Sequence, residues 1–88
     1  MDGHSRRHIA RLYQGNLQRG YVRGKLASDP VYAAVAARIG GTALPLLDIG
    51  CGIGLLGQYL HAHGHEQPYL GLDHDPRKIA AGQRAVQR

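Results

Sequence analysis

Eighty-eight residues allow one small domain, with 43% hydrophobic residues, no Phe or Trp, and a formal net charge of +5. The single cysteine, Cys51, excludes an internal disulfide and fits a reducing compartment. No apolar run reaches membrane-spanning length, and Met1-Asp2-Gly3-His4-Ser5 opens no signal peptide, so a cytoplasmic location without a membrane partner is expected.

The charge is uneven. Residues 1–27 hold Arg6, Arg7, Arg11, Arg19, Arg23 and Lys25 against Asp2 alone, and residues 28–88 balance. An anionic substrate or a nucleic acid could use this basic stretch. Aromatic stacking groups and a recognisable nucleic-acid module are lacking, which favours a solvated helix face instead. Ser5 is placed to cap a helix starting at Arg6, with Ile9, Leu12, Tyr13 and Leu17 as its apolar stripe. Gly15 and Gly20 weaken that helix, and a break is expected over Gly20–Gly24, with Tyr21, Val22 and Leu26 continuing the stripe beyond it. Asp29-Pro30 marks another helix start, Asp as N-cap and Pro in the first helical position. Tyr32, Val35, Ala36 and Ile39 then share a face until Gly40-Gly41 stops the helix.

Leu46–Ile49 is an apolar run fit for a buried parallel strand, interrupted by Asp48. Gly50, Gly52 and Gly54 follow at alternate positions, and Leu55, Leu56, Tyr59 and Leu60 then fall on one helical face. Strand, glycine turn and helix together open a βαβ unit, which binds ligands at the carboxyl ends of its strands. The glycines permit positive φ and let a ligand lie against bare backbone. The helix beginning near Gly54 aims unpaired N–H groups at the same spot. Asp48 beside it suits a cationic amino group, so the pair can grip both charged ends of an amino-acid zwitterion. Cys51, flanked by glycines and without a basic partner, reads as a small filler rather than a nucleophile.

The helix after the glycines runs to His63 and ends at Gly64. His61 and His63 point about 200° apart on a helix and His65 lies past its end, so no metal site is expected. A second strand, Tyr69–Asp73, ends at an acid. Asp75-Pro76 launches a last helix with Ile79, Ala80 and Val86 inward and Arg77, Lys78 and Arg84 outward. The fold class is therefore α/β: leader helices over residues 1–41, then β-α-β-α over residues 42–88, with an incomplete parallel sheet. Two parallel strands alone leave apolar surface exposed, and self-association through the sheet is one way to cover it.

The D-x-G-C-G-x-G core of Leu46–Gly57 resembles the first motif of class I S-adenosylmethionine-dependent methyltransferases, a Rossmann-like family. Tyr69-Leu70-Gly71-Leu72-Asp73-His74-Asp75-Pro76 is similar to that family's second strand with its terminal acid. The resemblance implies S-adenosyl-L-methionine as cofactor. Gly50, Cys51, Gly52 and Gly54 would lie beside its methionine portion, Asp48 would receive the ammonium, Asp73 the ribose hydroxyls, and the backbone near His74 would flank the adenine. It also implies a larger sheet, so the chain reads as the N-terminal portion of a longer enzyme, inactive alone. The methyl acceptor is unidentified, a small molecule being favoured over nucleic acid, and the family's catalytic motif would fall beyond residue 88. Tyr21–Pro30 also resembles the leader of small bacterial methyltransferases, which implies helices covering the cofactor or shaping a substrate cleft. Tyr13 and Tyr21 are candidates to line it, with core packing as the alternative, and His4 and His8 are candidates for the substrate side.

Two other classes stay open. Gly52-Ile53-Gly54-Leu55-Leu56-Gly57 satisfies G-x-G-x-x-G, and Asp73 follows about 20 residues on, as in the dinucleotide-binding domain of an oxidoreductase. Asp48, and a glycine series that begins one step earlier at Gly50, stand against that reading. The other class is a basic nucleic-acid-binding module built on the leader.

Overall fold

A carboxylate, not a hydroxyl, starts the first helix. The computed structural model describes residues 1–87, and in it α1 spans Gly3–Ala10. Asp2 is the cap, its Oδ1 accepting from Ser5 N at 2.7 Å. The start thus lies three residues before the expected Arg6 and makes Ser5 a helical residue. A charged acceptor at the positive end of a helix outcompetes a hydroxyl one turn later.

The break in the leader also falls earlier than expected. Gly15, at φ 83°, ends the turn after α1, and α2 (Asn16–Ser28) runs through Gly20 and Gly24 without interruption. A Lys25–Asp29 ion pair at 2.8 Å closes its last turn. This break rotates the stripe. Ile9, Tyr13, Val22 and Leu26 are buried, whereas Leu17 and Tyr21 face outward. The helix α3 (Val31–Ile39) starts one residue later than Asp29-Pro30 predicts: Pro30, not Asp29, is the cap residue, while Asp29 Oδ1 still accepts from Val31 N at 2.9 Å. Tyr32 is buried on it, Ala36 and Ile39 pack against the core, and Gly41 leaves with φ 82°.

Strands β1 (Leu46–Ile49) and β2 (Tyr69–Leu72) form one parallel pair in the register Leu46↔Tyr69 to Ile49↔Leu72. Between them lies α4 (Leu55–Ala62), which ends at Gly64 with φ 81°. Leu46, Asp48, Tyr69 and Gly71 are half-buried on one face of the sheet, against the helices. Leu47, Ile49, Leu70 and Leu72 are exposed on the other.

The last helix, α5 (Pro76–Val86), is capped by Asp75, whose Oδ1 accepts from Arg77 N at 2.9 Å. Its inward residues are Ala81 and Ala85, with Ile79 and Ala80 half-buried, whereas Val86, expected inward, is exposed. The reason is close packing: a Cβ on Gly82 would stand 3.0 Å from the Ile53 carbonyl oxygen. A helix that approaches backbone this closely must present small side chains there. The core joins leader residues Ile9, Tyr13 and Val22 to Ile53, Leu55 and Ala85. Within it the Tyr13 hydroxyl donates to Ile53 O at 2.8 Å, and burial pushes that phenol's pKa up. No helix among the described residues is long and apolar enough to cross a membrane.

Glycines of opposite kind give a paired stability test. A Cβ on Gly71 would meet Cys51 Sγ at 2.7 Å, so Gly71→Ala is expected to cost about 1–3 kcal/mol. Gly24, inside α2 with open space around it, should gain about 0.5–1 kcal/mol as Gly24→Ala. Urea unfolding of the two variants checks both signs.

Candidate functional site

The loop from Gly50 to Gly54 leaves β1, crosses the end of β2 and enters α4. Gly50, Gly52 and Gly54 adopt φ of 77°, 60° and 84°, a region that favours glycine. Alternation of such residues makes the chain reverse within a few positions. The N–H groups of Gly50 and Cys51 both donate to Leu72 O, at 2.7 and 2.9 Å, which fastens the loop across the carboxyl end of β2. A Cβ built on Gly50 or Gly52 would meet nothing within 4 Å. Backbone conformation therefore demands the glycines, and the space before them is open. The first helical bond of α4 is Gln58 N to Gly54 O at 3.2 Å. Helix geometry consequently leaves the N–H groups of Leu55, Leu56 and Gly57 without helical acceptors.

Asp73 binds this loop from the other strand. Its Oδ2 accepts from Gly52 N at 2.9 Å and its Oδ1 from Asp75 N at 2.8 Å. The side chain is only 6% exposed. The two backbone donors, Asp75 first and Gly52 second, hold its carboxyl below the usual carboxylate range. His74 follows in an exposed position, its Nδ1 3.5 Å from Asp73 Oδ1.

Asp48 lies one pleat back in β1, on the helix-covered face. Its Oδ2 accepts from the Tyr69 hydroxyl at 2.6 Å. Burial, then this bond, push the Tyr69 pKa up, so the phenol stays a donor at neutral pH. Cys51 sits over Gly71. Burial and the nearby Asp48 and Asp73 carboxylates raise its thiol pKa. It is a filler, as its glycine neighbours indicate, and a poor nucleophile.

The fold thus gathers Gly50, Cys51, Gly52, Gly54 and Asp73 at one end of the sheet, with Asp48 adjoining and His74 at the rim. An open cavity of about 1320 Å³ borders the loop at Gly52 and Gly54. His4 and His8 of α1 are among its lining residues; Tyr13 and Tyr21 are not, and neither are Asp48, Gly50, Asp73 and His74. Tyr13 belongs to the core and Tyr21 to the surface. His63 is engaged locally, stacked on Tyr59 at 4.1 Å with Nδ1 2.9 Å from Tyr59 O. Among the described residues no group of His, Cys, Asp and Glu is placed to hold a metal ion.

The sequence places Tyr69 in the second strand and Gly57 in the glycine series, but the contact between them is visible only in the structure. A Cβ on Gly57 would stand 2.9 Å from the Tyr69 ring, so helix α4 meets β2 at that glycine. The strand register, Leu46↔Tyr69 and Asp48↔Gly71, places Tyr69 diagonally beside Asp48, and register is not written in either strand alone. The chain matches no family model, no curated protein and no solved structure.

The bonds at Asp73 give a pH expectation. A carboxyl lowered in the folded state stabilises above its unfolded pKa of about 3.9, and that stability is lost as pH falls through the lower folded value. Asp73→Asn removes the charge that both N–H groups face. The variant should be less stable than the parent at neutral pH, and the gap should narrow as both are acidified below about pH 4. Urea midpoints of the two proteins across that range make the comparison.

Proposed function

We propose that this chain is the donor-binding part of a class I S-adenosylmethionine-dependent methyltransferase, acting on a small-molecule acceptor. The observation that carries the proposal is the Asp73–Gly52 hydrogen bond. It joins two sequence motifs 21 residues apart into one site at the carboxyl ends of both strands. An α/β sheet binds ligands at that end.

The residues present fit the cofactor. The loop has open space before Gly50 and Gly52, bounded by free helix N–H groups and an acid. Asp48 uses Oδ2 for Tyr69, and among the described residues its Oδ1 has no hydrogen-bond partner, so it can receive an ammonium. The N–H groups at the start of α4 suit the carboxylate of the same amino acid. Each oxygen of Asp73 has spent one acceptor site on backbone and keeps another for a ribose hydroxyl. When bound, the cofactor supplies an electrophilic methyl group on a sulfonium. The work of these residues is to hold and orient that donor, which lowers the entropic part of the barrier. Acceptor binding and any proton removal fall to groups outside the site; His4 and His8 are among the imidazoles that line the cavity beside Gly52 and Gly54.

One observation favours a second reading. Gly57, third glycine of the G-x-G-x-x-G series, is the point of close helix–strand approach, the role that position has in dinucleotide-binding units. The Asp48 carboxylate distinguishes the two, because a cationic ammonium occurs in S-adenosylmethionine and in its product but not in the pyrophosphate of a dinucleotide.

Calorimetric titration with S-adenosylhomocysteine, and separately with NADH, is the test. Binding of S-adenosylhomocysteine should weaken at least about tenfold in Asp48→Asn, which keeps an acceptor for Tyr69 but loses the charge. Asp73→Ala should weaken it similarly. NADH binding that is indifferent to Asp48→Asn would replace this reading with the dinucleotide one.

A further inference from the structure

The Tyr69 hydroxyl has one partner, and that partner is an acid beside the glycine loop. It donates to Asp48 Oδ2 at 2.6 Å, the short distance of an O–H bond to a charged acceptor. Among the described residues Asp48 has no other hydrogen bond and no ion pair. The phenol is therefore the one group that holds this carboxylate.

The phenol is itself held. A Cβ on Gly57 would stand 2.9 Å from Tyr69 Cε1, and one on Gly71 would stand 3.3 Å from the same atom. The ring thus fills space that two glycines leave, one on α4 and one on β2 itself. The register places Asp48 opposite Gly71, so ring and carboxylate share one face of the sheet.

One oxygen of Asp48 stays open. The only buried side-chain polar atom without a partner among the described residues is Gln67 Nε2. Asp48 Oδ1 has no partner either, and it therefore reaches solvent. The Asp48 and Asp73 carboxylates both raise the Cys51 thiol pKa, so both acids lie near the same loop residue. With one oxygen fastened to a seated phenol, the other points in a fixed direction. A carboxylate without that bond would have to be ordered by whatever it binds.

We propose that Tyr69 is a positioning residue, whose hydroxyl aims the free oxygen of Asp48 at the ammonium of an amino-acid-bearing ligand. Tyr69 acts through Asp48 and does not touch the ligand. The inference rests on the proposed donor-binding reading and adds to it the group that orients its ammonium acceptor. It also gives Gly57 a role that needs no dinucleotide: the glycine is the seat of the Tyr69 ring.

Calorimetry with two ligands separates positioning from packing. S-adenosylhomocysteine carries the amino-acid portion, and methylthioadenosine keeps adenosine and sulfur but lacks it. Tyr69→Phe removes the hydroxyl and leaves the ring in its seat. It should weaken S-adenosylhomocysteine binding about threefold to tenfold, the loss expected for one hydrogen bond, and change methylthioadenosine binding by less than about twofold. In an Asp48→Asn background the same substitution should alter S-adenosylhomocysteine binding less than about twofold, because no charge remains to be aimed. A Tyr69→Phe effect that is equal for both ligands, absent for both, or equal in both backgrounds would overturn the proposal and leave the donor-binding reading standing. A folded parent chain that does not bind S-adenosylhomocysteine would overturn both. The bond can also be read without ligand and without the Phe variant. The Tyr69 Cζ resonance in NMR spectra at neutral pH should move away from the tyrosinate position in Asp48→Asn, and an unmoved resonance would sink the proposal.

Discussion

The carboxylate of Asp73 is the contact on which the sheet end depends. One oxygen takes the N–H of Gly52 and the other the N–H of Asp75, so a single side chain fastens the glycine loop to the start of α5. Neither donor has another partner among the described hydrogen bonds, and a buried N–H without an acceptor is costly. The loop is pinned on two further sides at Ile53. Its carbonyl accepts from Tyr13 of the leader and lies against Gly82 of α5. Leader, loop and last helix therefore meet at one peptide unit. Three glycines at positive φ have no regular hydrogen-bond ladder of their own, and these external contacts take its place.

Small residues recur wherever elements approach closely. Gly57 makes room for the Tyr69 ring, Gly71 for Cys51, and Gly82 for the Ile53 carbonyl. Such packing brings helices near the backbone but buries little apolar area per residue. The larger side chains on the far face of the sheet are left uncovered. Economy at the site and exposure behind it have the same origin: four short strand residues each in β1 and β2, covered on one side only.

Much of this was legible in the sequence where local chemistry decides the outcome. The strand at Leu46–Ile49 follows from its apolar run, and the glycine turn, the Asp75-Pro76 start of α5 and the Gly64 stop each follow from φ restrictions or from a side chain capping its own helix. What was not legible depended on competition or on distance. Asp2 displaced Ser5 as a cap because the stronger of two neighbouring acceptors took the helix end. Gly20 and Gly24 stayed helical because Val22 and Leu26 are buried, and tertiary packing offsets the cost of glycine in a helix. Val86 turned outward because α5 buries Ala81 and Ala85 and brings Gly82 against the Ile53 carbonyl, an orientation that the spacing within α5 does not reveal. The Asp48–Tyr69 bond needed the strand register.

In the proposed reading, structural and ligand-binding duties need not compete at the Asp73 carboxylate. Its two bonds to backbone use one acceptor site on each oxygen and hold the group ionised below the ordinary carboxylate range. An ionised, oriented and nearly covered carboxylate is held in one rotamer, so little side-chain entropy would remain to be lost if it bound the proposed hydroxyl pair. A freely exposed acid at the same place would have to be ordered by the ligand itself. The contacts that fasten the loop thus leave its remaining acceptor sites aimed and charged. A capping acid that only closed a helix, as Asp75 does for α5, would have no reason to reach across to a second strand's loop. Asp73 does reach across, and the reach is what makes two separate motifs into one site.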